Sequence, residues 1–522
     1  MCGIIAAEQV TKRIKSHVQP FIKRGPDQEQ RSTVDSSYFI FNRLAIMGLE
    51  ETGMQPFQFN EFTGVCNGEI YNYKSLIQKH LSKHHFTSTS DCEVLLPLFD
   101  LFSVEMFAML DAEFAIVIYD EKTKQLIAGR DPIGIRPLFY GYDKETNKIL
   151  FASEVKGILP IVKQVLPFPP GHYYIDGEFI QYTSLYDITK YHDHNLDIIT
   201  KEIHDRLYEG VTKRLDSDAP IGFLLSGGLD SSLVCSIASK HLNQKLQTFS
   251  IGMKDDPIDL KYAQVVADYL GADHTEVKID KDDIISCLEE VIIAFETYDI
   301  TTIRAGIGMY LIAKYIHQNT DIKVLLTGEV SDELFGYKYT DFAPNAESFQ
   351  QESIKRVKEL YMYDVLRADR ALACNSLEAR VPFGDLDFVD YVLRISPSKK
   401  MNTYNMGKYL LREAFKNDYL PEEILYRDKA AFSDAVGHSL VDYLKEYAES
   451  YYSDEIFREN IQQYKTKPFS KESLLYREIF EKHYPNHSNL IPSYWMPNKE
   501  WKNCDVDDPS ARVLKNYGKS GQ

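Results

Sequence analysis

The stretch Phe223-Leu-Leu-Ser-Gly-Gly-Leu-Asp-Ser-Ser232, an apolar run that stops at two glycines and resumes as a helix, constrains this chain more than any other. Ile221, Phe223, Leu224 and Leu225 suit a buried strand, and Leu233, Val234, Ile237 and Ala238 recur at helical spacing. Gly227 and Gly228 let the backbone come close to an anion, while Ser226, Ser231 and Ser232 offer hydroxyl donors. The helix N-terminus adds free N–H groups and partial positive charge. The reading is strand, phosphate loop, helix. It is not the lysine-bearing phosphate loop, because no lysine follows the glycines. Asp230 puts a carboxylate beside the expected phosphate, so a magnesium ion is needed to reconcile the two.

Strand-helix alternation follows. Leu246–Ile251, His274–Ile279 and Ile322–Leu326 read as strands, and Leu260–Leu270 and Ile284–Thr297 as helices. This pattern predicts a parallel sheet covered on both faces, with its ligand at the carboxyl ends of the strands. Ser226–Ser232 and Thr327-Gly-Glu-Val-Ser-Asp-Glu333 both fall there. Asp230 and Asp332 can share the magnesium ion, and Glu329 can touch a reacting carboxylate or its nucleophile. Ser331-Asp-Glu333 also reads as a helix cap with an acidic first turn.

At 522 residues the chain is long enough for two or three domains. A formal charge of -18 argues against a nucleic-acid surface, which needs clustered Lys and Arg. The 7 cysteines are scattered without a CxxC pair, so neither a disulfide framework nor a zinc cage is indicated. No apolar run reaches the roughly 18 residues of a membrane span, and Met1–Ala7 is too short for a signal sequence. A cytoplasmic protein is expected.

The first third reads differently. Methionine before a small residue is normally removed, which makes Cys2 the amino terminus. Its thiol and α-amine, with reference pKa values near 8.5 and about 7.7–8.0, then form a nucleophile and its base in one residue. Ile40–Met47 and Phe62–Asn72 look like strands with polar ends. Asn67-Gly68 can supply an amide and a backbone N–H to an oxyanion, although an isolated Asn-Gly is more often a hairpin turn. Thr89-Ser-Asp-Cys-Glu93 precedes the apolar Val94, Leu95 and Leu98, so Asp91 can cap a helix or hold a substrate ammonium. Arg43 suits an α-carboxylate through its fork geometry. Leu110–Asp120, Gly129–Tyr140 and Ile149–Glu154 complete a sheet-rich domain of short strands.

Together Cys2-Gly-Ile4, Arg24-Gly-Pro-Asp27, Asn67-Gly-Glu-Ile-Tyr-Asn72, Ser90-Asp-Cys-Glu93, Arg130-Asp-Pro-Ile-Gly134 and Phe151-Ala-Ser-Glu154 resemble the class II glutamine amidotransferases of the N-terminal-nucleophile type. Ser226–Ser232 resembles the ATP-pyrophosphatase loop. Glu296–Arg304, Glu333-Leu-Phe-Gly336, Glu378–Phe383, Arg427–Asp434 and Asp508–Leu514 resemble the glutamine-hydrolysing asparagine synthetase family. The resemblance implies an α/β/β/α sandwich over residues 2–185 and a doubly wound parallel α/β ATP-pyrophosphatase domain with a helical C-terminal part over 196–514. Residues 515–522 are expected to be a disordered tail.

The activity implied is ATP-dependent synthesis of asparagine from aspartate. Ammonia comes from glutamine hydrolysed at Cys2, and β-aspartyl-AMP is the intermediate. Asn67 and Gly68 would hold the oxyanion. Arg43, Leu44, Ala45, Ile46, Met47, Glu69 and Asp91 would bind glutamine. Leu224, Ile251, Thr327 and Gly328 would hold the adenosine part of ATP, and Ser226, Gly227, Gly228, Asp230, Ser231 and Ser232 its phosphates. Glu329 and Lys429 would serve adenylation, Asp364 and Arg380 would lie near aspartate or the intermediate, and Asp230 and Asp332 would bind Mg2+. Small-molecule substrates are expected, without nucleic acid or membrane, and a homodimer is compatible with the resemblance.

The chain departs from the family's pattern at Thr327, Val330 and Gly384, which stand where serine, glycine and leucine are usual, and in a compact Met1–Arg24 segment. A related amidotransferase or cyclising synthetase acting on another carboxylate, a regulatory protein with a retired site and a tRNA-modifying enzyme are the competing readings.

Overall fold

The computed structural model describes residues 1–255, 257–428 and 436–518. Among these, the first domain holds two six-stranded sheets. In one, Gly3–Ala7 lies between Ser37–Arg43 and Ile149–Ala152, antiparallel to both. In the other, Phe62–Ile70 pairs with Ala112–Asp120, which pairs in turn with Gln125–Arg130.

The two-residue alternation of these strands decides what lies where. Ile4, Ala6, Phe39 and Phe41 from one sheet meet Val65, Ala115 and Val117 from the other in a shared core. Ile5, Ala7 and Ile40 point outward under Ile14, Val155 and Ile158, while Ile116 and Ile118 point outward under Leu95, Leu98 and Phe99 of the helix Leu95–Phe102. The layering is α/β/β/α, as expected.

The second domain is built on a parallel sheet ordered Asp273–Ile279, Gln247–Met253, Ile221–Leu224, Val324–Leu326, Glu378–Arg380. Helices Leu229–His241, Ile258–Leu270, Lys281–Phe295 and Ile300–Asn319 accompany it. The connecting helix runs from Leu196 to Thr212 under an Asn195 cap and continues as a 3-10 turn to Leu215. The C-terminal part is helical, including His438–Tyr451 and Lys471–His483.

The expected tail is corrected for its first residues. Asn516 donates to the Lys338 carbonyl at 2.7 Å and to Asp341 at 3.0 Å, and Tyr517 lies 3.2 Å from His438 Nε2, so this segment is tied down. No helix among the described residues is long and apolar enough to cross a membrane.

The two domains meet across a seam of buried ion pairs. Arg24 donates from Nε to the Cys2 carbonyl at 3.0 Å and pairs with Glu154 at 2.9 Å and Asp369 at 2.8 Å. Arg136 pairs with Glu113 at 3.0 Å, and Arg214 joins Glu113 at 2.9 Å to Asp385 at 3.0 Å. Stripping one partner from such a pair typically costs about 3–5 kcal/mol. The seam therefore fixes how the two domains face each other.

Candidate active sites

Cys2 sits at the entry to Gly3–Ala7, with Sγ 3.7 Å from the Leu44 carbonyl. Burial pushes its thiol up to about 11, so a nearby proton acceptor is required for the thiolate to form at neutral pH. The amine closest in sequence is that of Met1, buried 3.6 Å from Glu378, and burial pushes it down to about 6.

Asn67 and Gly68 are not a turn. They lie inside Phe62–Ile70, opposite Ala115 and Phe114. Asn67 is fully buried, yet neither Oδ1 nor Nδ2 has a partner. A buried amide left unpaired is costly and calls for a ligand, which fits an oxyanion donor. Gly68 is glycine because a Cβ there would lie 2.4 Å from the Glu113 carbonyl oxygen.

Asp91 does not cap the following helix. It opens a 3-10 turn, Asp91–Val94, and accepts from the Ile70 amide at 2.7 Å, which ties it to the end of the strand that carries Asn67. Burial pushes its carboxyl up to about 6. Arg43 is buried, and its guanidinium donates to Gln28 and Glu50 at 2.9 Å and to the Gly48 carbonyl. It braces the segment that follows Leu44, Ala45, Ile46 and Met47. Glu69 is drawn to the other domain, 3.0 Å from Arg380.

The second site is a cavity of about 510 Å³ at the carboxyl ends of the parallel strands. Leu224, Ile251, Thr327 and Gly328 line it, as do Ser226, Gly228, Asp230 and Ser231. The helix Leu229–His241 starts without a side-chain cap, leaving its first N–H groups for a ligand. Gly227 and Ser232 are not in the lining. Gly227 has φ 69°, and a Cβ there would lie 2.5 Å from Tyr262, so its role is the turn itself.

Asp230 and Asp332 come together around a lysine, Lys408, that the sequence reading does not include. Lys408 Nζ lies 2.7 Å from each carboxylate and 2.9 Å from Ser331 Oγ. The available signal was the pair Gly407-Lys408 just before the helix Tyr409–Ala414. Ser331 does not cap its helix; its hydroxyl donates to Asp230 at 2.7 Å.

Glu329 faces the cavity with Oε2 buried and unpaired and Oε1 3.8 Å from Arg367. Asp364 lines the cavity too and pairs with Arg367. Both sit on the helix Asp364–Ala373, which also carries Asp369, the partner of Arg24. One helix thus reaches from the strap across Cys2 to the acid at the second site.

Arg380, expected near aspartate or the intermediate, is corrected. It is fully buried in the seam and absent from the cavity lining, pairing with Glu69 and Glu378 at 3.0 Å and donating to the Arg214 carbonyl at 2.9 Å. Its strand, Glu378–Arg380, ends the parallel sheet and faces the first domain. Lys429 lies outside the described residues.

Fold and site together define a two-centre chain: an N-terminal amidotransferase joined to an α/β domain with a phosphate-loop cavity. Residues 1–169 match the glutamine amidotransferase domain family, and residues 202–347 and 340–511 match the asparagine synthase family. A probable glutamine-hydrolysing asparagine synthetase of Acanthamoeba polyphaga mimivirus is 41% identical over 526 residues, covering 94% of each chain. The glutamine-hydrolysing asparagine synthetase of Homo sapiens is 41% identical over 540 residues, covering 95% of this chain and 94% of its own. The chain belongs to the glutamine-hydrolysing asparagine synthetase family.

Proposed function

We propose that this chain makes asparagine from aspartate and ATP, with nitrogen released from glutamine at Cys2. Once Met1 is removed, the Cys2 amine takes the thiol proton and the thiolate attacks the glutamine side-chain carbonyl. Asn67 and the Gly68 N–H hold the oxyanion, ammonia leaves with the proton, and water then frees glutamate from the thioester.

At the other centre the aspartate side-chain carboxylate attacks the α-phosphorus of ATP, giving an acyl-adenylate and pyrophosphate. Ammonia then displaces AMP. Asp230 and Asp332 are the carboxylates that would hold a magnesium ion beside the phosphate loop, although the point they share is taken by the Lys408 ammonium and no group of three or more His, Cys, Asp or Glu among the described residues is placed to hold a metal. Bound there with phosphate oxygens, Mg2+ would neutralise phosphate charge. Lys408 adds a second cation, and Lys429 is proposed to act on the same phosphates.

The observation that carries this reading is a buried, unpaired polar group at each centre: the Asn67 amide on the strand tied to Asp91, and Glu329 Oε2 at the phosphate-loop cavity. Leu44, Ile133 and Ile135 of the first domain share one apolar cluster with Val330 and Val381 of the second. Free ammonia in water is mostly protonated and no longer nucleophilic, so a water-poor route between the centres preserves it. Amino-acid-dependent pyrophosphate release from ATP tests the reading, with glutamine or ammonium as donor. Release that requires aspartate is expected; release indifferent to aspartate would contradict it.

Glutamine binding should follow the charge on Asp91. Its carboxyl titrates at about 6, raised by burial, so it is ionised above that pH and neutral below it. The KM for glutamine should stay flat above about pH 7 and rise by up to about tenfold per unit below 6. Measuring glutaminase KM from pH 5 to 8 checks this, and Asp91→Asn should flatten the profile at a high KM.

A further inference from the structure

Val330 stands between Glu329 and Ser331 with φ 81° and ψ -24°. Residues branched at Cβ rarely adopt this left-handed backbone, which persists only where the surroundings over-determine it. The surroundings here are specific. The Val330 side chain is 1% exposed and belongs to the apolar cluster that contains Ile135 of the first domain and Phe383 of the second. Gly384 closes the contact: a Cβ at that position would lie 2.9 Å from Ile135 Cδ1 and 3.7 Å from Val330 Cγ2. The backbone at Gly384 is not left-handed, so its conformation does not require glycine. Ile135 Cδ1 stands where a side chain would crowd it, and Val330 Cγ2 would then lie in ordinary contact with that side chain.

The groups on either side of Val330 face the second cavity. Glu329 presents its unpaired Oε2, and Ser331 binds Asp230. We propose that Val330 is a positioning residue whose side chain, packed beside Gly384 in the apolar cluster that also holds Ile135, keeps this turn left-handed. The placement of Glu329 and Ser331 thereby depends on the first domain being docked. This inference rests on the reading of the cavity as an adenylating centre.

The test is aspartate-dependent exchange of labelled pyrophosphate into ATP by the full-length chain and by V330G, G384A and V330G/G384A. Glutaminase activity and thermal midpoint are measured on each. Glycine at 330 tolerates the same φ but many others too, so the turn loses its definition. V330G should lower the exchange rate at saturation by about tenfold, with KM for ATP and glutaminase activity within about twofold. G384A should also slow exchange, because its methyl crowds Ile135, which belongs to the cluster that holds Val330. In V330G/G384A the same methyl fills the vacated space, so the double variant should exchange faster than V330G.

Exchange in V330G within about twofold of the unaltered chain would overturn the proposal. So would exchange, glutaminase and thermal midpoint falling together, or a double variant in which the two losses simply multiply. Absence of aspartate-dependent exchange in the unaltered chain would instead overturn the adenylation reading, and this inference with it.

Discussion

Cys2→Ala is expected to lower glutamine-dependent asparagine formation by at least about 10³-fold while ammonium-dependent formation stays within about twofold. The substitution deletes one sulfur atom whose hydrogen bond is to the Leu44 carbonyl, so the fold has little to lose. It also leaves a small residue after Met1, so processing is preserved. What disappears is the group that attacks glutamine. The cavity at the carboxyl ends of the parallel strands is untouched, and ammonium supplied from solution reaches it without the first centre. Asparagine assays with each nitrogen donor, run side by side, read the split. Loss of both activities would mean that the two centres are not separable.

The converse is expected of Glu329→Ala. Glu329 places an unpaired carboxylate oxygen at the cavity, held by one long contact to Arg367. Arg367 keeps its second partner, Asp364, so the substitution does not strand a buried cation. Aspartate-dependent pyrophosphate release should fall by about 10²–10⁴-fold, the range for a group that acts on charge in the transition state. Glutaminase activity should persist, so the variant releases glutamate without making asparagine. Normal pyrophosphate release would remove Glu329 from this role.

The elements of the second domain are legible in sequence because strand-helix alternation is a local pattern. The expected Leu246–Ile251 strand runs from Gln247 to Met253, and the expected Leu260–Leu270 helix from Ile258 to Leu270. The phosphate loop is legible for the same reason, since its glycines, serines and flanking strand and helix are contiguous.

What sequence hides is set by contacts between distant residues. Asn-Gly favours a turn locally, yet Asn67-Gly68 is held straight by pairing with Ala115 and Phe114 on a strand about 45 residues away. Asp91 looks like a cap until the Ile70 amide claims it. Arg380 sits in a motif shared with the family, but its partner Glu69 belongs to the other domain, and that pairing moves it from the cavity to the seam. Gly407-Lys408 marks a lysine before a helix, but not the two acids, Asp230 and Asp332, that other loops bring to it.

Val330 shows the same limit in reverse. Sequence flags a β-branched residue in a glycine position, and only the fold shows that Gly384 and Ile135 accommodate it.

The central claim is that nitrogen freed at Cys2 reaches the adenylating cavity within the protein, without mixing with solvent. Supplying amide-15N glutamine together with unlabelled ammonium, and weighing the asparagine produced, tests it most directly. Asparagine enriched in 15N well beyond the share of label in the dissolved ammonium pool is the predicted result. Label diluted to that share would contradict it.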